Sequence, residues 1–350
     1  MSLPEDPVRA GAVLLLLTLA VASAVYGAST LRPDGSTGDA RPATTIDSCT
    51  EITESGRYVL DRNLTDRGAD TCIRIQADDV VLAGGGHRVD GRGTFGTAGV
   101  VVRADGDEPA SNVTVRNVTV TDWDDGIRYI GVDGGAVVDA TTATNRVGLS
   151  LLNARDVHVA DNVARGNRLR GISLLESGAN NTLANNTATD NALYGIHLVE
   201  GGVRDNTLVN NVASNNEFGI VLIGVHDNAV TRNVASGNRI AGVWLSASTG
   251  NRLHRNRVSN RFYGIFLADR SNGNVVSNTV AASNEVGVRL RSSDDNRIAD
   301  NAVRGSGDTA ILLISSDGNE VVGNVGLNNA RGVSLVRSSG NRVANNSLGG

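Results

Sequence analysis

The sequence contains no lysine, its one methionine is the first residue, and aromatic residues make up only 3% of its 350 residues. Large globular cores usually depend on aromatic and methionine side chains, so here valine, isoleucine, leucine and alanine must fill the interior. All 32 basic residues are arginines, and the 37 acidic residues leave a net charge of −5. This balance argues against nucleic acid as the main partner.

The N-terminal segment is apolar enough to direct export. Residues 10–28 carry no charge, and Ala22-Ser23-Ala24 matches a small-x-small cleavage site. The run is also long enough to span a bilayer as an uncleaved anchor. Residues 1–28 are therefore predicted to be a signal peptide or an N-terminal membrane anchor, and both place the remainder outside the cytoplasm. The polar residues 29–45 are predicted to be a flexible linker.

The chain has two cysteines, Cys49 and Cys72. In an exported protein such a pair indicates a disulfide, which would contribute about 3 kcal/mol to stability in the chain-entropy model. A metal site is the alternative, but two thiolates without a nearby histidine pair make it the weaker interpretation.

A motif of the form G-[IVL]-x-L recurs through most of the chain at spacings of 22–24 residues. A fixed period of this length indicates a solenoid, in which each unit buries its apolar face against its neighbours. The motif begins at these ten positions: Gly126, Gly148, Gly171, Gly195, Gly219, Gly242, Gly264, Gly287, Ala310 and Gly332.

Apolar residues within each unit are spaced by two, which is typical of strands and not of helices. Three short strands with no room for a helix predict one coil of a right-handed parallel β-helix, over residues 72–350, with residues 46–71 as an N-terminal cap. A recurrent asparagine, such as Asn186 or Asn211, is expected to adopt the left-handed backbone of a corner and to hydrogen-bond its neighbours in adjacent coils. Self-association through strand edges at the C-terminal end of the β-helix is a further hypothesis.

The repeats "GISLLESGANNTLANNTATDN" and "GVSLVRSSGNRVANNS" resemble those of NosD-like proteins, within the wider pectin-lyase-like group of carbohydrate-binding and sugar-hydrolysing β-helices. The segment beginning "SCTEITESGRYVL" resembles the opening of exported archaeal members. The resemblance covers roughly residues 46–350. It is specific for the fold but not for the activity, because one scaffold carries many functions.

The best candidate for catalysis is "TDWDDGIRY", with Asp122, Asp124, Asp125 and Arg128. The resemblance implies a polysaccharide lyase, hydrolase or epimerase, and a lyase would hold Ca²⁺ on carboxylates beside a basic residue. No other cofactor is expected. The alternative interpretation is that aspartates at these turns only accept backbone hydrogen bonds. The full carboxylate motifs of these enzyme families are not apparent, which favours a protein that is not an enzyme.

The candidate binding residues occupy the outward position of the first strand in each unit. They are His197, Trp244, Phe266 and Arg289, and their common offset in the repeat predicts that they lie on one face. Aromatic rings flanked by cations stack on sugars and bind their acidic groups. Packing under a turn or against another subunit is the competing interpretation. Tyr194, Phe218 and Tyr263, which precede the repeat glycines, are interpreted as turn packing.

The resemblance to NosD-like proteins also implies an accessory role in metalloenzyme assembly, through a link to copper sites. The five histidines fall at different offsets of the repeat, so they do not predict a copper site. We therefore expect an extracytoplasmic protein, secreted or at the cell surface, with a binding or structural role toward polysaccharide or another surface glycan. A polysaccharide-active enzyme is the alternative, and membrane contact is expected only through the N-terminal segment.

Overall fold

The computed structural model describes residues 42–65, 68–104, 106 and 108–349. The predicted signal peptide or anchor, residues 1–28, and most of the predicted linker lie outside the described residues. Every regular element within the described ranges is a β-strand. No helix in that part of the chain is long and apolar enough to cross a membrane.

The strands form three parallel sheets, and each coil between Val80 and Ile314 contributes one strand to each of them in turn, whereas the coils before and after contribute strands only to sheets 1 and 2. Sheet 1 has 14 strands: Thr44–Ile46, Gly56–Leu60, Val80–Ala83, Ala110–Arg116, Val132–Val138, His158–Ala160, Thr182–Ala184, Thr207–Val209, Ala229–Thr231, Arg252–His254, Val275–Ser277, Arg297–Ala299, Glu320–Val322 and Arg342–Ala344. Sheet 2 has 13 strands: Thr50–Ile52, Thr71–Ile75, Ala98–Val102, Asp125–Ile130, Val147–Leu152, Arg170–Leu175, Tyr194–Val199, Phe218–Ile223, Ala241–Ser246, Tyr263–Ala268, Val286–Arg291, Thr309–Ile314 and Val333–Val336. Sheet 3 has 10 strands: Arg88–Asp90, Thr119–Thr121, Thr141–Ala143, Val163–Arg165, Thr187–Thr189, Val212–Ser214, Val234–Ser236, Arg257–Ser259, Val280–Ala282 and Ala302–Arg304.

Each strand pairs in parallel with the strands one coil before and one coil after it, so equivalent repeat positions stand side by side. Ile196 pairs with Ile172 on one side and with Ile220 on the other. This register confirms the prediction of a parallel β-helix. Alternation then sends the second and fourth motif positions inward, and Ile196, Leu198 and their counterparts are fully buried.

The opening coils are wider, and two large aromatic side chains fill them. Trp123 and Tyr129 are the largest fully buried side chains among the described residues. The indole of Trp123 donates to the carbonyl of Val89 at 3.2 Å. The Tyr129 hydroxyl lies 3.0 Å from the carbonyl oxygen of Val113 and 2.9 Å from that of Ala136, so its polar end is satisfied inside the core.

The asparagines form hydrogen-bonded ladders inside the corners. The backbone N–H and side-chain amide of Asn186 both donate to the side-chain oxygen of Asn211, each at 2.9 Å. The stacking of amides between coils is thus confirmed. Equivalent ladders stand at all three corners, before sheet 1 (Asn206 to Asn228), before sheet 2 (Asn191 to Asn216) and before sheet 3.

The expected left-handed backbone is at a different residue. Asn185 and Asn210, one position before the ladder, have φ angles of 56° and 57° and turn the corner, and their side chains lie outside. The prediction that Asn186 and Asn211 themselves adopt this conformation is wrong. The asparagine whose side chain points inward directly precedes the next strand and already has an ordinary backbone conformation. The left-handed turn is therefore made by the residue before it.

Cys49 and Cys72 form the predicted disulfide, at a sequence separation of 23. The bond joins the first and second coils beside the opening strands of sheet 2. The first strand of sheet 1, Thr44–Ile46, begins within the predicted linker, and residues 46–71, predicted to be a cap, contain the strands Thr50–Ile52 of sheet 2 and Gly56–Leu60 of sheet 1. Their core residues Ile46 and Ile52 are only 5% and 2% exposed.

Candidate functional site

The outer face of sheet 2 carries most of the side chains with chemical potential. The motif glycine explains how each strand presents them. At Gly195 a side chain would collide with the Asn216 amide and the Gly219 carbonyl oxygen, both 2.7 Å away, so this position points inward like Ile196 after it. The glycine and the isoleucine after it both face inward. The residue before the glycine and the residue after the isoleucine, Tyr194 and His197 in this strand, therefore both lie on the outer face.

The outer face therefore presents aligned rows of side chains. One row runs Arg128, Ser150, Ser173, His197, Val221, Trp244, Phe266, Arg289 and Leu312. The row beside it runs Asp125, Val147, Arg170, Tyr194, Phe218, Ala241, Tyr263, Val286 and Thr309. At a strand spacing of about 4.8 Å, the seven steps from Arg128 to Arg289 extend over about 34 Å.

Rings from both rows form a continuous stack, which we call the aromatic rail. Tyr194 stacks on His197 with ring centroids 4.4 Å apart, and Phe218 stacks on Trp244 at 4.9 Å. The Trp244 and Phe266 rings lie 6.5 Å apart and nearly parallel. The aromatic rail comprises Tyr194, His197, Phe218, Trp244, Tyr263 and Phe266.

Arginines extend the rail at its C-terminal end. The Arg289 guanidinium lies 5.0 Å from the ring centroid of Tyr263 and 5.1 Å from that of Phe266. The Arg291 guanidinium lies 5.3 Å from the Phe266 ring and pairs with Asp269. Cation–π contacts hold these groups over the rings, and Arg289 also donates a hydrogen bond to the Tyr263 hydroxyl.

An acidic and basic cluster occupies the other end of the face. Asp124 pairs with Arg146 and accepts the backbone N–H of Gly96 at 3.0 Å. Asp125 pairs with Arg128 at 3.3 Å. Both aspartates are buried, so these charges interact in surroundings that water screens poorly.

The environments of the two adjacent aspartates shift their pKa values in opposite directions. Burial raises the pKa of Asp124, but the Arg146 and Gly96 hydrogen bonds and the positive charges of Arg146 and Arg168 outweigh it and lower the pKa. At Asp125 burial dominates and raises the pKa against the attraction of Arg128 and Arg146. Neighbouring carboxyl groups with separated pKa values are the arrangement that acid–base catalysis requires.

The four predicted catalytic residues do not all meet. Asp124, Asp125 and Arg128 share the cluster described above. Asp122 lies at the preceding corner, half-exposed and with a φ of 60°. A cleft of about 530 Å³ lies where the early strands of sheet 2 end, and its lining includes Arg103, Glu108, Ile130 and Arg155 but none of the four predicted catalytic residues.

The four predicted binding residues do stand in one row, but they are less exposed than an outward position suggests. His197 and Phe266 are 2% and 8% exposed, while Trp244 and Arg289 are half-exposed. Burial, followed by the positive charge of Arg170, lowers the pKa of His197 to about 3, so its imidazole is neutral at physiological pH.

Polar atoms without hydrogen-bond partners concentrate on this face. In the described part of the chain, ten buried side-chain nitrogen or oxygen atoms have no partner, and nine of them belong to the two rows above. They include both ring nitrogens of His197, the indole nitrogen of Trp244 and the Nε atoms of Arg128, Arg170 and Arg289. Such atoms are rare in folded proteins, and their usual causes are strain, a catalytic role or a bound water or ion.

Several residues of the face were not predicted from the sequence. Arg146 and Arg170 lie outside the "TDWDDGIRY" segment and reach the cluster from the next two coils. Tyr194, Phe218 and Tyr263 belong to the aromatic rail, so their interpretation as turn packing is wrong. The sequence feature that could have predicted their place on the outer face is that each of them directly precedes a motif glycine.

Metal-binding groups are dispersed. Among residues 42–65, 68–104, 106 and 108–349, no three histidine, cysteine, aspartate or glutamate residues group together to hold a metal ion. The two cysteines are bonded to each other.

Solved structures with a similar fold include enzymes and viral fibres. The A-module of the mannuronan C-5 epimerase AlgE6 of Azotobacter vinelandii has a TM-score of 0.60 and 18% identity, over 83% of this chain and 91% of that one. The Dettilon tailspike protein gp208 has a TM-score of 0.58 and 15% identity, over 84% and 61%. The periplasmic alginate epimerase AlgG has a TM-score of 0.50 and 15% identity, over 83% and 76%. At these identities the similarity establishes the fold alone.

Sequence comparison places the chain in a family. No curated protein matches it significantly. The family model described as "Periplasmic copper-binding protein (NosD)" matches residues 88–260 and 236–350, which together make up most of the chain. This chain is therefore a member of the NosD family of β-helical repeat proteins.

Proposed function

We propose that this chain is an extracytoplasmic glycan-binding protein, and that the outer face of sheet 2 is the surface that holds the polysaccharide. The observation that carries the proposal is the set of nine unpartnered polar atoms beside stacked rings. Sugars present apolar ring faces and many hydroxyl groups, so one ligand would cover the rings and supply the missing hydrogen-bond partners.

The location and the relatives support this class of ligand. Disulfides such as Cys49–Cys72 persist in oxidising compartments outside the cytoplasm. Two of the proteins with a similar fold are named for epimerisation of mannuronan and alginate. Arginines stand near both ends of the outer face, at Arg128 and Arg289, and favour a polymer that carries carboxylate groups.

The test is retention of the protein in polysaccharide affinity gels, with a panel of neutral and acidic polymers. We expect Trp244→Ala to lose retention by about tenfold, because the apolar face of a sugar packs on an aromatic ring much as a nucleic-acid base does, and base stacking is worth about 1–3 kcal/mol. Trp244→Phe keeps a ring in the rail and should retain most of the affinity. Leu327→Ala, at an exposed apolar residue away from sheet 2, serves as the matched control. Unchanged retention of Trp244→Ala would contradict the proposal.

A second candidate function is polysaccharide cleavage or epimerisation at the Asp124–Asp125 cluster. The opposite pKa shifts of the two aspartates favour it. In this function Asp125 would hold a proton for transfer, while Arg146 keeps Asp124 ionised. Incubation with acidic and neutral polysaccharides, with and without Ca²⁺, would reveal cleavage as new reducing ends, with unsaturated products identifying a lyase. Epimerisation would instead change the uronate composition without new ends. Asp125→Asn should abolish any such activity, and an equally active variant would exclude this site.

A resident copper ion, which the family description names, does not fit these residues. Copper prefers converging imidazole, thiolate or thioether ligands. His158 and His254 lie in separate strands of sheet 1, four coils apart, and His197 is on sheet 2. Both cysteines are oxidised in the disulfide. We therefore assign no step of the proposed function to copper.

A further inference from the structure

The two coils between residues 228 and 268 have an unusual charge. They contain six arginines and no aspartate or glutamate, in a chain whose net charge is −5. Acidic residues occur on both sides of this stretch, at Asp227 and at Asp269. The local excess of positive charge is therefore confined to a short segment.

The fold gathers four of these arginines at the corner between sheets 1 and 3. Arg252 and His254 point outward from one strand of sheet 1, and Arg257 begins the following strand of sheet 3. Arg255 turns the corner between them. Arg232 turns the same corner one coil earlier, where its backbone N–H donates to the carbonyl oxygen of His254 at 3.0 Å. We call these five residues the arginine patch.

The arginines of the patch are exposed and have no carboxylate partner among the described residues. Other arginines of the same surface are neutralised, since Arg297 and Arg342 both pair with Glu320. Partial burial, followed by the positive charges of Arg252, Arg255 and Arg232, lowers the pKa of His254. The positive charges of the patch therefore add to one positive potential that no paired carboxylate neutralises.

Two of the arginines occupy backbone positions that disfavour them. Arg232 and Arg255 each have a φ of 56°, a left-handed conformation that costs roughly 1 kcal/mol for a residue other than glycine, asparagine or aspartate. Neighbouring coils place Asn210, Asn278 and Asp300 at this corner. Arginine at two consecutive corners is therefore less stable than asparagine or aspartate would be there. Residues held in an unfavourable backbone conformation cluster at functional sites.

We propose that the arginine patch binds an anionic polysaccharide that carries carboxylate or sulfate groups, at a surface separate from the outer face of sheet 2. Guanidinium groups bind such anions through paired hydrogen bonds. Successive corners are about 4.8 Å apart, so a linear polymer along the coils would meet Arg232 and then Arg255. The neighbouring outward side chains, Thr231, Val234, Ser259 and Val280, supply no ring on which a nucleic-acid base could stack.

The test measures binding of fluorescent polygalacturonate, dextran sulfate, neutral dextran and duplex DNA by anisotropy at several salt concentrations. We expect both anionic polysaccharides to bind and neutral dextran not to bind. The triple variant R252Q/R255Q/R257Q should bind them on the order of tenfold more weakly, because charge-assisted contacts are lost, and its salt dependence should be smaller. Circular dichroism melting should show that the variant folds, since the three side chains are exposed.

The matched control is R57Q/R88Q/R103Q, which removes the same charge from exposed arginines elsewhere. Equal weakening of the two triple variants would attribute binding to net charge and overturn the proposal, as would absence of binding by the unmodified protein. DNA binding tighter than that of both polysaccharides would overturn the assignment to polysaccharide. The weakening caused by R252Q/R255Q/R257Q should be the same when the protein also carries Trp244→Ala, because two separate surfaces contribute independently. No further weakening in the Trp244→Ala background would show that the surfaces are one site and would overturn the proposal.

Discussion

At the scale of single residues, the buried asparagines stabilise the corners because each one makes bonds to two other coils. The side-chain amide of Asn211 donates to the Leu183 carbonyl and to the Asn233 side-chain oxygen, each at 2.9 Å. Its own side-chain oxygen accepts two bonds from Asn186. Removal of one such side chain leaves polar groups of its neighbours buried and without partners.

We predict that Asn211→Ala lowers the free energy of unfolding by about 2 kcal/mol, the usual cost of an unsatisfied buried group. The melting temperature, followed by circular dichroism, is the measurement. Thr207→Ala, in the same coil and on the outside of sheet 1, is the control and should melt close to the unmodified protein. Equal melting temperatures for both variants would show that the ladder contributes little.

His197 makes stability depend on pH. Its folded-state pKa is about 3, whereas an unfolded histidine has a pKa of about 6.5. Between these values the unfolded chain holds a proton that the folded chain does not, so stability falls as the pH falls through this window. We predict that His197→Val, which copies Val221 from the next coil, moves the midpoint of acid unfolding to lower pH.

The exposed His226 provides the comparison for this experiment. Acid titrations of His197→Val and His226→Val, followed by tryptophan fluorescence, should differ, with the shift confined to the first variant. A similar midpoint for His197→Val and the unmodified protein would indicate that the imidazole is hydrated in solution.

At the scale of elements, each strand hydrogen-bonds only to the strands of its sheet one coil away, so a local change should remain local. The disulfide tests this behaviour because it closes a loop of 23 residues at one end of the sheets. Reduction should destabilise the opening coils by about 3 kcal/mol. We predict faster amide hydrogen exchange in strands Thr44–Ile46 and Thr50–Ile52, without change in strand Phe218–Ile223.

Mass spectrometry of exchanged peptides, with and without a reductant, measures this effect. The double variant Cys49→Ser/Cys72→Ser should reproduce the reduced pattern and show no response to the reductant. Faster exchange throughout all three sheets would instead indicate that the coils unfold as one cooperative unit.

At the scale of the molecule, the first and last coils differ in how well they cover their core. Leu335 and Val343, which occupy core positions of the last coil, are 44% and 42% exposed, unlike Ile46 and Ile52 of the first. The strands Val333–Val336 and Arg342–Ala344 are also the terminal strands of their sheets, so each has one unpaired edge. Exposed apolar edge strands favour pairing with another chain.

We predict that the protein self-associates through these strands, with a sedimentation coefficient that rises with concentration. Val343→Glu should remain monomeric, because burial of a charge in the interface is costly. Phe95→Glu, at an apolar residue 82% exposed and distant in the chain, is the control and should associate normally. A sedimentation coefficient independent of concentration for the unmodified protein would exclude the association.

The sequence by itself determined the period, the strands and the inward rows. Both the alternation of apolar and polar residues and the fixed repeat length can be read from the sequence without knowing how side chains pack. It also indicated the disulfide and the row from His197 to Arg289. The repeat offset also puts Arg128 in that row, but only the tertiary structure showed that Asp125 shares the outer face of sheet 2 with it, since this depends on the register between coils. Only the structure placed Tyr194 on the outside and the left-handed turn at Asn185. Both follow from how the backbone packs. Where a glycine or an asparagine side chain faces inward, the residue before it faces outward or makes the left-handed turn.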